Sequence, residues 1–101
     1  MHPLAMLVSN AAAVPADAAV VWIGDSPGDD QARLVADALG EPRAARYAVL
    51  VERVAERLFR RDLATVGAVA DLGFFRPFYL AHARRIVTAL DGTLLRITRP
   101  A

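Results

Sequence analysis

The sequence predicts a single, helix-rich α+β domain, with three to four helices and a small sheet of two or three strands. Two β-branched runs, residues 18–23 and 93–98, lie in the two halves of the chain and are typical of strands. Between them, apolar residues recur at helical spacing. With 101 residues, 55% of them hydrophobic, the chain is long enough to bury one core.

The first elements of the chain are predicted to be extended. Residues 4–8 form a short apolar run that indicates an edge strand or arm, and residues 11–17 indicate a loop. Residues 18–23 are apolar, rich in β-branched side chains and followed by Gly24, so they are the clearest strand in the sequence. We expect Trp22, in this strand, to pack against the helices.

The first helix has a recognisable start and end. Ser26 is expected to cap it, and Pro27 and Asp29 suit its first turn, Asp29 as the acid of a capping box. Gly40 is expected to end it. Its predicted apolar stripe consists of Leu34, Val35, Ala38 and Leu39.

A second, longer helix is expected to open at Pro42 and to run to about Arg61. Charged residues fill its other face, where Glu56 and Arg60 have the favourable i, i+4 order. We expect Trp22 to pack on the apolar stripe, which consists of Tyr47, Leu50, Val51, Val54 and Leu58.

Two further helices and a turn are predicted before the last strand. Asp62 is expected to cap a short third helix that ends at Gly73. Pro77 suits the first turn of a fourth helix that runs to Leu90. Asp91 and Gly92 then form a turn into the strand at residues 93–98.

Four of the seven aromatic residues lie within six positions, which is the densest such cluster in the chain. We interpret the cluster either as the anchor of a helix-to-helix corner in the core or as a contact surface for a protein partner. We expect Phe78 to be structural in either interpretation, and in the core interpretation Phe78→Ala costs about 3–5 kcal/mol of stability. The candidate partner-binding residues are Phe74, Phe75, Phe78 and Tyr79.

Charge is unevenly distributed, although the net charge is only +1. Residues 1–42 carry six acids and one arginine, whereas residues 76–101 carry five arginines and one acid. This asymmetry indicates either an anion-binding end or two ends that neutralise each other in the fold.

No set of residues indicates catalysis, so we expect a non-catalytic protein without a cofactor. The chain has no cysteine, which excludes disulfides and thiolate metal sites and agrees with a cytoplasmic location. His2 and His82 are far apart and have no ligand spacing, so no metal site is expected. The apolar runs are far shorter than the ~20 residues of a membrane span, and no membrane association is expected.

Residues 63–90 resemble a helix-turn-helix unit, with Gly73, Pro77 and Tyr79 spaced as in AraC-type regulators. The resemblance implies a first helix over 63–72, a turn at Gly73-Phe74-Phe75, and a recognition helix from Pro77. Pairing of strand 93–98 with strand 18–23 would complete a winged-helix-like fold. The implied function is binding of duplex DNA, with contacts from Arg76, His82, Arg84, Arg85, Arg96 and Arg99. Because one recognition helix with three or four cationic contacts rarely gives specific affinity alone, we expect a homodimer.

A second resemblance is to the later half of the STAS fold of anti-sigma-factor antagonists. It is carried by Asp62-Leu63, Gly73, Ala83-Arg84-Arg85 and residues 92–100. The region of the phosphorylatable serine would fall at residues 70–72, which contain no serine. This resemblance implies a protein-interaction module without a phosphorylation switch. The alternative to DNA binding is therefore a small adaptor or a subunit of a larger complex.

Overall fold

The computed structural model describes residues 14–25, 28–66 and 72–98. Within them the predicted α+β class is confirmed, with three helices and a three-stranded antiparallel sheet. The predicted strand or arm at residues 4–8 lies outside the described residues. In chain order the elements are β1 (Ala19–Trp22), α1 (Asp30–Leu39), β2 (Ala44–Arg46), α2 (Tyr47–Val66), α3 (Leu72–Ala89) and β3 (Leu95–Thr98).

The sheet has the order β2-β1-β3, so the clearest strand of the sequence lies in its centre. Both pairings are antiparallel, and Val21 lies opposite Ala44 on one side and Arg96 on the other. The predicted pairing of the last strand with the first is therefore confirmed. Because side chains alternate along a strand, one sheet face carries the buried residues Val20, Trp22, Leu95 and Ile97.

The predicted helix start at Pro42 is wrong. Gly40 and Arg43 both have positive φ, the Glu41–Pro42 peptide bond is cis, and the chain then forms β2. The sequence Ala44-Ala45-Arg46 suits a helix, but pairing with the exposed edge of β1 overrides this local preference. The helix begins only at Tyr47. Because residues 44–46 form a strand and not the start of the helix, the sheet has three strands.

Helix α1 has its cap three residues later than predicted, and Ser26 and Pro27, the predicted cap and first residue, lie outside the described residues. Asp29 is the N-cap, because its backbone is extended and its Oδ1 accepts a hydrogen bond from the Ala32 N–H at 2.8 Å. An extended residue at this position prevents the helix from starting earlier. Gly40 ends the helix with φ at 69°, as predicted.

Helix α2 begins and ends later than predicted and continues through Asp62, which therefore does not cap a separate helix. The helix starts without a capping sequence, since the N–H groups of Tyr47 and Ala48 donate to the carbonyls of Ala18 and Ala16 at 2.8 and 2.9 Å. The predicted stripe of Tyr47, Leu50, Val51, Val54 and Leu58 is buried, and Trp22 belongs to the same core. The ion pair between Glu56 and Arg60 is also confirmed.

The predicted turn at Gly73-Phe74-Phe75 is wrong, because these residues lie in the first turns of α3. Pro77 is inside the helix, five residues after its first residue, and does not start it. Phe75, in the additional turn, packs against Phe59 of α2 with ring centroids 6.3 Å apart. This contact favours a helical conformation at Gly73-Phe74-Phe75. Gly73 and Pro77 alone indicate a turn followed by the start of a new helix.

The turn between α3 and β3 is confirmed at Asp91 and Gly92. Gly92 has φ at 85°, a conformation that glycine adopts without a steric penalty. The Asp91 carboxylate accepts a hydrogen bond from the Ile97 N–H at 3.0 Å, which holds the turn against the last strand. The strand itself begins at Leu95, two residues later than predicted.

Candidate functional site

The aromatic cluster on α3 is largely exposed. The exposed fraction is 80% for Phe74, 70% for Phe78 and 41% for Phe75, while Tyr79 is half-buried. The expectation that Phe78 is a structural residue, which both sequence interpretations shared, is therefore wrong. Of the two interpretations of the cluster, exposure favours the contact surface, because a ring that packs a core is removed from water.

The exposed rings are connected to the core through neighbouring rings. Phe74 and Phe75 meet edge to face with centroids 5.0 Å apart, and Phe75 contacts Phe59. Phe59 is buried and also meets Tyr79 edge to face at 5.3 Å. Such ring pairs prefer these geometries and add about 0.5–1.5 kcal/mol each beyond the area they bury. Phe74, Phe75 and Tyr79 are therefore connected to one buried ring of α2.

Two polar contacts hold α3 against α2 on either side of these rings. The Tyr79 hydroxyl donates a hydrogen bond to Oδ2 of Asp62 at 2.6 Å. Arg76 forms an ion pair with Glu52, which lies ten residues before Asp62 on α2 and so almost three helix turns away. Both contacts are exposed to solvent, so their contribution is mainly to the orientation of α3.

The hydrogen bond to Asp62 raises the pKa of Tyr79, with smaller contributions from desolvation and from the charge of Asp62. In a Tyr47→Phe background, where Tyr79 is the remaining tyrosine, we expect its absorbance titration to have a midpoint above about 10. Asp62→Ala should lower this midpoint. Because the folded state prefers the neutral phenol, the stabilisation is present below pH about 10 and is lost as the pH rises from there through the folded-state pKa. An unchanged midpoint in Asp62→Ala would contradict the contact.

The described residues that were predicted to bind nucleic acid lie on two elements, α3 and β3. Arg84 and Arg85 are exposed on α3, while Arg76 is engaged by Glu52 and His82 is half-buried. Arg96 is exposed on the sheet face opposite the one that packs on the helices. The sixth predicted contact, Arg99, lies outside the described residues.

A cleft of about 390 Å³ lies beside the α2–α3 contact. It is mainly apolar, with Glu52 and Arg84 as its charged lining residues. It lies on the same helix pair as the exposed rings. The other lining residues are Val14, Ala16, Tyr47, Ala48, Val51 and Leu80.

Sequence reasoning did not identify Phe59, Asp62 and Glu52 as parts of this site. Phe59 directly follows Leu58 in the sequence. A wider apolar stripe on α2 than the predicted one would have included it. Asp62 and Glu52 had no local signal, since each acts on a residue that is distant in the sequence. Across residues 14–25, 28–66 and 72–98, no group of three His, Asp or Glu residues could hold a metal ion.

Comparisons with protein-family models, with curated proteins and with solved structures find no match to this chain. Among the described residues, no helix is both long enough and apolar enough to cross a membrane.

Proposed function

We propose that this domain is a non-catalytic protein-interaction module that binds its partner through the outward face of α3. The observation that carries the proposal is the exposure of Phe74 and Phe78, at 80% and 70%, on a rigid helix. Aromatic side chains on a structured surface are typical hot spots of protein interfaces. The module would serve as an adaptor or as a subunit of a larger assembly.

The size of the apolar surface supports this proposal. A phenylalanine has roughly 200 Å² of surface to bury, so the three exposed phenylalanines together present roughly 300–400 Å². That area is comparable to the largest apolar patch of a typical monomer, and patches of this size are often functional. From Leu72 to Ala81 the helix has a single charged residue, Arg76. A segment that is apolar on all sides is expected to be buried.

The rigidity of the surface supports it as well. Phe75 packs on Phe59, and Tyr79 and Arg76 bind Asp62 and Glu52 on α2. A partner that docks on α3 therefore loses little free energy to ordering of the helix. Each ring also has few rotatable bonds to immobilise, which favours aromatic anchors further.

Binding of duplex DNA is the second candidate, and one observation favours it. Helix α3 carries Arg76, Arg84 and Arg85 and has no acidic residue from Leu72 to Ala89. Two observations weigh against DNA binding. The expected turn before Pro77 is helical, and Arg96 lies on β3 and not on α3. The two candidates differ in salt dependence, because phosphate contacts release counterions and burial of rings does not.

The proposal predicts position-specific cross-linking to protein. We expect a photoreactive benzoylphenylalanine at position 78, introduced in the native host, to give protein adducts after irradiation. The matched control is the same residue at position 21, since Val21 is an exposed apolar residue on the outer sheet face. With the purified partner, the double change Phe74→Ala and Phe78→Ala should weaken binding by about 30-fold or more, because hot-spot truncations cost about 2 kcal/mol.

Two outcomes would contradict this function. Adducts that disappear on nuclease treatment would show nucleic acid at α3, and binding would then be lost on changing Arg84 and Arg85 to alanine. Equal protein adducts at positions 21 and 78 would show that the rings have no special role. The fold of each variant is checked by circular dichroism, which exposed substitutions should leave unchanged.

A further inference from the structure

We infer that the partner of α3 is a second copy of this chain, bound through an antiparallel contact between the two α3 helices. This inference rests on the proposed function, since it names the occupant of the same surface. The helix is already packed on α2 by its inward face, which includes the buried residues Ala83, Ile86 and Val87. The contact therefore uses the outward face alone.

The outward face has the spacing of a coiled-coil seam. Phe74, Phe78, Ala81 and Arg85 follow one another at intervals of four, three and four residues. All four are exposed, so they form one uncovered stripe along the helix. Intervals of three and four that alternate keep a stripe facing a partner helix, as positions a and d do in a heptad.

The stripe is complementary to itself when two copies run antiparallel about a two-fold axis. With the axis midway between positions 79 and 80, Phe78 of each copy faces Ala81 of the other. A large residue then packs against a small one, which lets the two helices approach closely. In the same register the ring of Phe74 faces the guanidinium of Arg85, a pair that attracts through a cation–π interaction.

The charges on α3 select this orientation. In a parallel pair, Arg84 and Arg85 would lie directly against their own copies, with no acid on either helix to compensate. In the antiparallel pair the two copies of Arg85 are about 16 Å apart along the axis, at a rise of 1.5 Å per residue. That separation exceeds the Debye length of about 8 Å at physiological ionic strength, so their repulsion is largely screened.

The expected dimer is of moderate affinity. Helix α3 has 18 residues and is about 27 Å long, and the stripe from Phe74 to Arg85 covers about two thirds of it. One helix pair of this length buries less surface than a standard protein interface. We therefore expect a monomer–dimer equilibrium in the micromolar range and not an obligate dimer.

The absence of cysteine from the chain allows a direct test of the register. We expect Ala81→Cys to form a disulfide-linked dimer under mild oxidation at least tenfold faster than Thr88→Cys. In the antiparallel pair, the two copies of position 81 are offset by about 4–5 Å along the axis and those of position 88 by about 25 Å. A parallel pair would bring both positions together, so equal cross-linking of the two variants would overturn the orientation.

A size-swap measured by sedimentation equilibrium tests the contact without any cross-link. We expect Phe78→Ala and Ala81→Phe each to weaken the dimer at least tenfold, and the double variant to regain most of the affinity. The swap restores one large and one small residue in each facing pair, which no other register does. Failure of the double variant to recover, with both single variants folded by circular dichroism, would contradict the register.

Experiments can distinguish failure of the self-contact from failure of the proposed function. A chain that stays monomeric up to ~1 mM, far above the micromolar range expected, overturns the self-contact. If residue 78 of that monomer still cross-links to another protein and not to nucleic acid, the interaction module stands and its partner is a different chain. If residue 78 gives no protein adduct at all, both proposals fail.

Discussion

Replacing Leu58 with alanine is expected to lower the free energy of unfolding by about 2–5 kcal/mol. Leu58 is fully buried in the core, so its truncation removes apolar contacts and leaves a cavity. Because a small domain has a total stability of only about 5–15 kcal/mol, this single change could remove a large share of it. Urea unfolding followed by the fluorescence of Trp22, the one tryptophan, measures the loss.

The matched control for Leu58→Ala is Phe78→Ala, which removes a larger side chain from the surface. With Phe78 70% exposed, we expect a change within about 0.5 kcal/mol at concentrations that keep the chain monomeric. The two results together show whether the loss of stability follows the burial or the size of the side chain that is removed. A loss at Phe78 as large as that at Leu58 would mean that the ring is enclosed in the monomer, against the geometry of α3.

The second large effect is expected at Gly24, where Gly24→Ala should cost about 1–3 kcal/mol. A Cβ at this position would lie 2.7 Å from Cδ2 and 3.2 Å from Cα of Leu94. The side chain of Leu94 can rotate away, but its Cα cannot. The Leu94 carbonyl also accepts hydrogen bonds from the N–H groups of Ile23 and Gly24, at 2.9 and 3.0 Å, which tie the two segments together.

Gly28→Ala is the control for Gly24→Ala, because a Cβ at Gly28 would meet no atom within 4 Å. We expect its unfolding free energy to stay within about 0.5 kcal/mol of the parent. Thermal or urea unfolding of the two variants side by side gives the comparison. Equal effects at the two glycines would show that the close approach of residue 24 to Leu94 does not constrain the fold.

Much of the fold was predictable because it depends on patterns within short segments. The β-branched run around Val20 forms the predicted strand, and the stripe through Leu50 and Leu58 is buried as its periodicity predicted. Gly40 and Gly92 both adopt positive φ at predicted boundaries. These features follow from local sterics and from hydrophobic spacing, both of which can be judged without knowledge of the partner segment.

The candidate site was predictable only as a group of residues. The density of aromatic side chains identified Phe74, Phe75, Phe78 and Tyr79, and it gave two opposite interpretations of them. The exposure of these rings depends on how α3 packs on the rest of the fold. Contacts with Phe59, Asp62 and Glu52 of α2 set this packing. Each of these partners lies 16 or more residues from the residue that it contacts.

The sequence by itself determined the α+β class, the strand at β1 and the buried stripe of α2. Only the tertiary structure decided that residues 44–46 form a strand, that α2 continues through Asp62, and that α3 begins before Pro77. At these places the local signals of proline, glycine and a capping acid favour a boundary. Hydrogen bonds to β1 and ring packing on α2 outweigh those signals, because propensities are worth about 1 kcal/mol or less per ordinary residue, whereas long-range contacts add up across an element.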